Sequence, residues 1–312
     1  MASDARIMPF GDAAIVEAAA LIRAGRPVAI PTETVYGLAA DATDADAVAG
    51  IYAAKGRPSF NPLIVHVPDV EAAARLAAVD AAAERLAAAF WPGPLTMVLP
   101  ARAGGPIARI ATAGLATIAL RAPAHRAMRA LLAAVGRPLA APSANASGTI
   151  SPTRADHVAR SLGGRIPLIV DDGATGVGIE STIVAVAPDR LRLLRPGPIP
   201  PEALAEAAGL PIEGATPGPI EAPGQMTSHY APAKPLRLGV EGDPGDAYLI
   251  GFGPGESDYA LSLTGDPVEA AARLFDALHA ADLSDRASIA VRPIPNAGMG
   301  AAINDRLRRA AA

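Results

Sequence analysis

Along this chain, stretches whose apolar residues recur at helical spacing alternate with short continuous apolar runs. Ile15, Ala18, Ala19 and Ile22 share one face of a helix predicted over Asp12–Ala24, with Asp12 to cap its start and Gly25 just past its end. A strand over Pro27–Ile30 follows, and the chain turns through Pro31-Thr32-Glu33-Thr34. The next predicted helix is Asp44–Ala54, with Thr43 and Asp46 as its capping pair and Gly56 at its end. It leads into a strand over Leu63–Val67. Beyond this unit, the pattern predicts helices at Val70–Ala78, Ala81–Ala89, Ala124–Val135, Thr153–Leu162 and Pro201–Ala208. It predicts strands at Leu95–Leu99, Ala116–Leu120, Leu139–Ala141, Pro167–Val170, Ser181–Val186 and Leu191–Leu194. This alternation is that of an α/β sheet with binding loops at its strand ends.

The pattern breaks after the last of these helices. From Pro211 to Pro235 prolines and glycines crowd together without periodicity, which predicts an extended linker. That linker contains Ser228-His229-Tyr230-Ala231-Pro232, and a plain spacer has little use for a His-Tyr pair, so it is expected to touch something. Strand, helix, strand and helix are predicted again at Ala247–Phe252, Pro267–Ala280, Ser288–Val291 and Met299–Arg309, enough for a small α/β domain. The chain therefore divides into 1–210, a linker over 211–235, and 236–312.

Composition narrows the function classes. The 312 residues are 51% hydrophobic with a net charge of −4, which argues against coating nucleic acid by bulk charge but leaves room for a local basic pocket. Cysteine is absent, so no disulfide framework or thiolate metal site can form, and a reducing cytoplasm is the expected setting. The N-terminus lacks the basic-then-apolar pattern of a signal peptide, and no run approaches the ~18 apolar residues of a membrane span.

Candidate chemistry collects at the predicted strand ends. Lys55-Gly56-Arg57-Pro58 places two cations on a loop shaped by glycine and proline, just before Asn61. Cations at a helix C-terminus are usually only favourable to its dipole, but a guanidinium fork and an ammonium here also suit phosphate. Neither a P-loop nor a GxGxxG motif is present. Alternation in Leu63–Val67 puts His66 with Ile64 on the face opposite Leu63, Val65 and Val67; a lone histidine there is either structural or ligand-facing. Thr117 and Arg121 share a strand face, and Arg121 at the strand end suits a surface charge or a ligand clamp. Thr32 and Thr34, and Ser143-Ala144-Asn145, are equally turn formers or polar loops approaching a ligand. No Ser/His/Asp set, metal cluster or carboxylate pair stands out. The recurring theme is basic groups and hydroxyls at strand ends, which fits a site that binds anions and aligns reactants.

The stretches PTETVYGL, KGRPSFNPL, the SAN of PSANASG, GIESTIV and LRPG occur in this order. Together they resemble the threonylcarbamoyl-adenylate synthase family (YrdC-like) over roughly residues 10–208. The SHYAP linker and the tail look like that family's longer, two-domain form. The resemblance implies an α/β fold: a twisted open mixed sheet with helices around a concave basic cavity, plus a small C-terminal Rossmann-like domain. It implies a nucleotidyltransferase that converts L-threonine, bicarbonate and ATP to threonylcarbamoyl-AMP and pyrophosphate with Mg2+. The product would serve threonylcarbamoyladenosine modification of tRNA and pass to a tRNA threonylcarbamoyl-transfer complex. Direct tRNA binding is expected to be weak, and no membrane is involved.

Residue by residue, the resemblance implies threonine contacts from Thr34, His66, Arg121, the Ala141 backbone and Ser181. It implies ATP contacts from Lys55, Arg57, Asn61, Thr117, Ser143, Asn145, Ser151, Arg195 and Tyr230, with Lys55 and Arg57 as the catalytic charges. No metal-ligating side chain is implied, and Tyr230 would reach from the linker, as a lid, to cover ATP. Two rivals remain. One is the related domain of hydrogenase-maturation carbamoyltransferases, whose zinc-finger portion this cysteine-free chain lacks. The other is an RNA-binding module, which would show salt-sensitive RNA binding without any need for threonine.

Overall fold

The structure, a computed structural model, describes residues 5–214, 221–223 and 229–312. The remainder of the Pro/Gly-rich linker, including Gln225 to Ser228, lies outside the described residues, so its predicted extended character is not part of this description. Among the described residues, eleven strands form one mixed sheet. They are β1 (Arg6–Pro9), β2 (Val28–Pro31), β3 (Tyr36–Asp41), β4 (Ile64–His66), β5 (Leu95–Pro100), β6 (Thr117–Arg121), β7 (Leu139–Ala140), β8 (Leu168–Asp171), β9 (Thr182–Val186), β10 (Leu191–Arg195) and β11 (Ile212–Glu213), in the order 1-8-2-3-7-4-6-5-9-10-11. Helices α1 (Asp12–Arg23), α2 (Ala45–Lys55), α3 (Val70–Ala74), α4 (Ala81–Phe90), α5 (Arg126–Val135), α6 (Ala155–Leu162) and α7 (Pro201–Ala208) connect them. A second, parallel sheet holds β12 (Leu236–Leu238), β13 (Tyr248–Gly251), β14 (Tyr259–Ala260) and β15 (Ile289–Val291) in the order 12-15-13-14, with α8 (Pro267–Leu283) and α9 (Met299–Ala310). The α/β class, the mixed sheet and the C-terminal α/β domain are as expected.

The strand missing from the sequence reading is β3. The sequence pattern predicts no element over Tyr36–Asp41, but this stretch pairs antiparallel with β2, Pro31 opposite Tyr36 and Val28 opposite Ala39. All six of its residues are buried, so no alternation marks it, and Gly37, Ala39 and Ala40 have weak strand preference. Thr32 to Val35 is therefore a hairpin turn rather than a strand-to-helix loop. Its Thr32 hydroxyl donates to the Val35 carbonyl at 2.7 Å and accepts from the Thr34 and Val35 amides. The sequence predicts none of the short strands β1, β11, β12 and β14, which have four residues or fewer each; β11 falls inside the stretch read as linker. At α2 the cap is Asp44, not the Thr43–Asp46 pair: its carboxylate accepts from the Asp46 and Ala47 amides. Gly56 ends α2 with φ of 61°, a conformation other residues adopt at a cost.

Apolar packing explains how the site is held. Leu63, Val65 and Val67 enter the main core under α2 and α4, while Ile64 packs on the other face with Val98, Ala119 and Ile183. That is the alternation the sequence predicted, and it turns His66 away from the core. A separate core lies in the second domain around Leu274, Phe275 and Ile303, and it takes in Val35, Ile150 and Ile179 from the first. Gly178 (φ 77°) allows that approach: a Cβ there would meet Ala271 O and Ala272 Cα of α8 at 2.4 Å. No helix among the described residues is long and apolar enough to cross a membrane.

Candidate active site

Parallel pairing of β4 and β6 sets His66 opposite Arg121. Both side chains are buried, at 2% and 4% exposure. Arg121 is held by protein at each nitrogen: Nη2 donates to Glu33 Oε1 at 2.6 Å, Nη1 to Thr34 Oγ1 at 3.0 Å, and Nε to the Gly93 carbonyl at 3.2 Å. Burial alone would raise the Glu33 carboxyl, but the Arg121 charge, that hydrogen bond and backbone donors outweigh it and leave it below the usual range. His66 is the opposite case. Neither ring nitrogen has a hydrogen-bond partner among the described residues. Burial, reinforced by the Arg121 charge, lowers its pKa to about 3, so the ring is neutral at pH 7.

The space these side chains face is also lined by Thr34, Gly37, Arg57, Ala141, Ser143, Glu180, Arg195, Pro223, His229 and Tyr230. It brings together residues from every stretch singled out in the sequence. Its volume is only 40 Å³ with His229 and Tyr230 as its roof, room for water and not for a nucleotide. A larger groove of 810 Å³ between α4 and α5 lacks this convergence of buried charge, so the smaller space is the candidate site.

Three more cations surround it. Arg57 donates from Nε to the Asn61 carbonyl and from Nη2 to the Pro62 carbonyl (3.2 and 2.9 Å), and its pKa is lowered to about 10, chiefly by burial. Arg195 holds Ser181, from Nε to its carbonyl at 3.0 Å and from Nη2 to its hydroxyl at 3.1 Å. Lys55 lies behind the lining, with Nζ on the carbonyls of Ser143 and Asn145 at 2.5 Å each. Burial and the nearby Arg57 charge lower its pKa well below the usual lysine range.

Other expected residues take supporting positions. The Asn145 amide nitrogen donates to the carbonyls of Ala146 and Thr149, shaping the loop, while its oxygen has no partner among the described residues. The Ser181 hydroxyl also pairs with that of Thr96 at 2.8 Å. Ser151 is fully buried and donates to Glu180 Oε1 at 2.5 Å. Asn61 is buried beside Arg57. Thr117 starts β6 and shares the Arg121 face roughly 13 Å along it, outside the lining. Tyr230 has φ of 66°, is 1% exposed, and its hydroxyl has no partner among the described residues.

Residues 20–197 match the family described as Telomere recombination, and 199–312 match the one described as Threonylcarbamoyl-AMP synthase, C-terminal domain. The threonylcarbamoyl-AMP synthase of Bacillus subtilis is 42% identical over 96% of this chain and 93% of its own length. The chain belongs to the threonylcarbamoyl-AMP synthase family. The namesake protein of Pyrococcus abyssi is 41% identical over 94% of this chain and 92% of its own. The crystal structure of P. abyssi Sua5 complexed with L-threonine superposes with a TM-score of 0.89 at 38% identity, covering 98% of this chain and 97% of that one.

Sequence reasoning missed Glu33, Glu180 and Arg306. Glu33 and Glu180 lie inside the quoted motifs, but only the structure gives them cationic partners. Arg306 had a visible signal: it sits on α9 at helical spacing with Ala302, Ile303 and Ala310, an arginine on an apolar face.

Proposed function

We propose that this chain is an L-threonylcarbamoyladenylate synthase, an ATP-dependent nucleotidyltransferase that acts in tRNA modification. The observation that carries the reading is the pairing of His66 and Arg121 at one end of a basic cavity beneath Tyr230, in a chain of this family. L-Threonine occupies the His66 end: Arg121 and Thr34 meet its carboxylate, the neutral His66 ring offers an acceptor, and the Ala141 backbone and Ser181 close the pocket. ATP lies over Arg57 and Arg195, with Lys55, Asn61, Ser143 and Asn145 fixing the phosphate-facing loops, Ser151 behind them and Tyr230 above. Thr117 completes the nucleotide side.

Bicarbonate gives carbon dioxide and hydroxide; the threonine amine adds to the carbon dioxide, and its proton leaves with the hydroxide as water, forming a carbamate. A carbamate oxygen attacks the α-phosphorus, the bond from that phosphorus to the bridging oxygen of pyrophosphate breaks, and pyrophosphate leaves. Negative charge grows on phosphate oxygens, where Arg57 and Arg195 stabilise it in a site shielded from water. The carbamate is the nucleophile, so no buried carboxylate pair is required.

The side chains do not fit a metal held by protein. Glu180, the carboxylate lining the cavity, has one oxygen on Ser151 and the other on Arg306, and no metal-type cluster of His, Asp and Glu occurs among the described residues. Mg2+ therefore belongs to this proposal as a companion of the triphosphate. Entry of ATP requires the His229–Tyr230 roof to lift, the basis for treating the linker as a lid. The cytoplasm and a tRNA threonylcarbamoyl-transfer complex are the proposed setting and recipient.

Pyrophosphate release is the test, with threonine and bicarbonate omitted in turn. Release that depends on both is expected, and release indifferent to both sinks the proposal.

A further inference from the structure

Arg306 reaches from the second domain into the first. It is fully buried on α9, and each of its three nitrogens donates to an acceptor. Nε donates to Glu180 Oε2 at 2.8 Å, Nη1 to the Pro196 carbonyl and to Asp305 Oδ2 at 2.9 Å each, and Nη2 to the Glu180 carbonyl at 3.4 Å. Its guanidinium carbon lies 5.5 Å from the centre of the Tyr230 ring. Burial alone would raise the Glu180 carboxyl; the charges of Arg306 and Arg195 and the Ser151 hydrogen bond outweigh it, so the pair is ionised.

These contacts are arranged around the nucleotide side of the cavity. Arg306 does not line the cavity, but Glu180, Arg195 and Tyr230 do. Glu180 precedes Ser181, Pro196 follows Arg195, and Arg195 is bonded to Ser181. Arg306 thus grips the residues on the outer flanks of the Ser181–Arg195 pair and stacks behind Tyr230. The backbone of α9 adds a further tie, His229 N to the Arg309 carbonyl at 3.0 Å. On the threonine side, by contrast, Arg121 and Thr34 are held by Glu33, Gly93 and Thr32, and only Ser181, at the border of the two sides, is tied to Arg306 through Glu180 and Arg195.

We propose that Arg306 is a positioning residue for adenylyl transfer, through which the C-terminal domain aims Arg195 and Tyr230 at ATP. The inference rests on the synthase reading of the cavity. A buried guanidinium is costly to desolvate, and an apolar side chain would fill the same space; what the guanidinium adds is simultaneous hold on two loops and one ring.

The test is steady-state kinetics of pyrophosphate release on the full chain, with the KM of ATP and of threonine measured separately and thermal melting alongside. Wild type is run first; if its release needs neither threonine nor bicarbonate, the synthase reading itself fails, before any variant is considered. Arg306→Met is expected to raise the ATP KM at least 10-fold, leave the threonine KM within about 3-fold, and lower the melting temperature by stranding Glu180. The Glu180→Gln/Arg306→Met double variant removes that stranded charge, so it recovers melting temperature but not the ATP KM. Arg306→Lys keeps the charge near Glu180 but not the fork to Pro196, and is expected to melt near wild type with a raised ATP KM. Arg286→Met, which removes an exposed arginine of the same domain paired to Asp246, is the control expected to match wild type. A double variant or a lysine variant with an ATP KM within 2-fold of wild type overturns the proposal, since Arg306 would then only neutralise Glu180. Equal effects from the Arg286 control overturn it as well.

Discussion

His66 and Arg121 face each other across the β4–β6 pair, yet each nitrogen of Arg121 has a protein partner and neither ring nitrogen of His66 has one among the described residues. This asymmetry separates stability from binding. Arg121→Met takes the cation from a largely buried Glu33, whose Oε2 keeps only the Ala124 and His125 amides, and is expected to destabilise the fold by about 3 kcal/mol, measured by denaturant unfolding. His66→Asn breaks no internal hydrogen bond and is expected to unfold near wild type while raising the threonine KM about 10-fold, equivalent to about 1.4 kcal/mol. A His66 variant with wild-type threonine KM would take the ring out of the substrate pocket.

In the proposed reaction, charge grows on phosphate oxygens beside Arg57. Arg57→Ala is expected to cut turnover at least ~10-fold, the effect of losing about 1.4 kcal/mol of transition-state stabilisation. Single-turnover measurement at saturating ATP separates this from weaker binding. A wild-type rate there removes Arg57 from the reaction.

Tyr230 offers its ring and its hydroxyl separately. The hydroxyl is buried with no partner among the described residues, so Tyr230→Phe is expected to be neutral or slightly stabilising in thermal melts. If the hydroxyl meets the nucleotide, the same variant raises the ATP KM. Tyr230→Ala also removes the contact with Phe275, whose ring centre is 5.5 Å away, and is expected to destabilise as well.

Acid sensitivity should come from three histidines, His66 and His229 buried and His279 half-buried. His66, His229 and His279 each have a folded-state pKa lowered to about 3 by burial, from an ordinary 6.5. Below pH 6.5 the unfolded chain binds protons that the folded chain refuses, so stability falls as pH drops from 6.5 towards 3. At pH 5.5 each group lowers stability by about 1.4 kcal/mol relative to pH 8, roughly 4 kcal/mol together. Urea unfolding at the two pH values checks this, and His279→Gln should flatten the dependence by about one third. A flat profile for the wild type would mean that these rings are not buried neutral.

Most elements and the ligand-facing side of β4 were legible because a helix or half-buried strand writes its burial into residue spacing. His66 was placed correctly by alternation with Leu63, Val65 and Val67, and Lys55, Arg57 and Arg121 stood out as cations beside apolar strands. β3 was not legible, because a strand covered on both faces has no alternating pattern and its alanines and glycine carry no strand preference.

What the sequence by itself determined is the α/β order of elements, the motif stretches and the chemical character of the site. Which charges are paired was decided only by tertiary structure. Arg121 meets Glu33 across 88 residues of chain and Arg306 meets Glu180 across 126, through contacts set by sheet register and domain packing. An ion pair of that kind depends on where two distant segments are brought together, and local spacing carries no record of it. The same packing leaves the His66 ring without a partner among the described residues and brings Tyr230 to the same cavity, so the local pattern named the cations while the fold decided which positions line the candidate site.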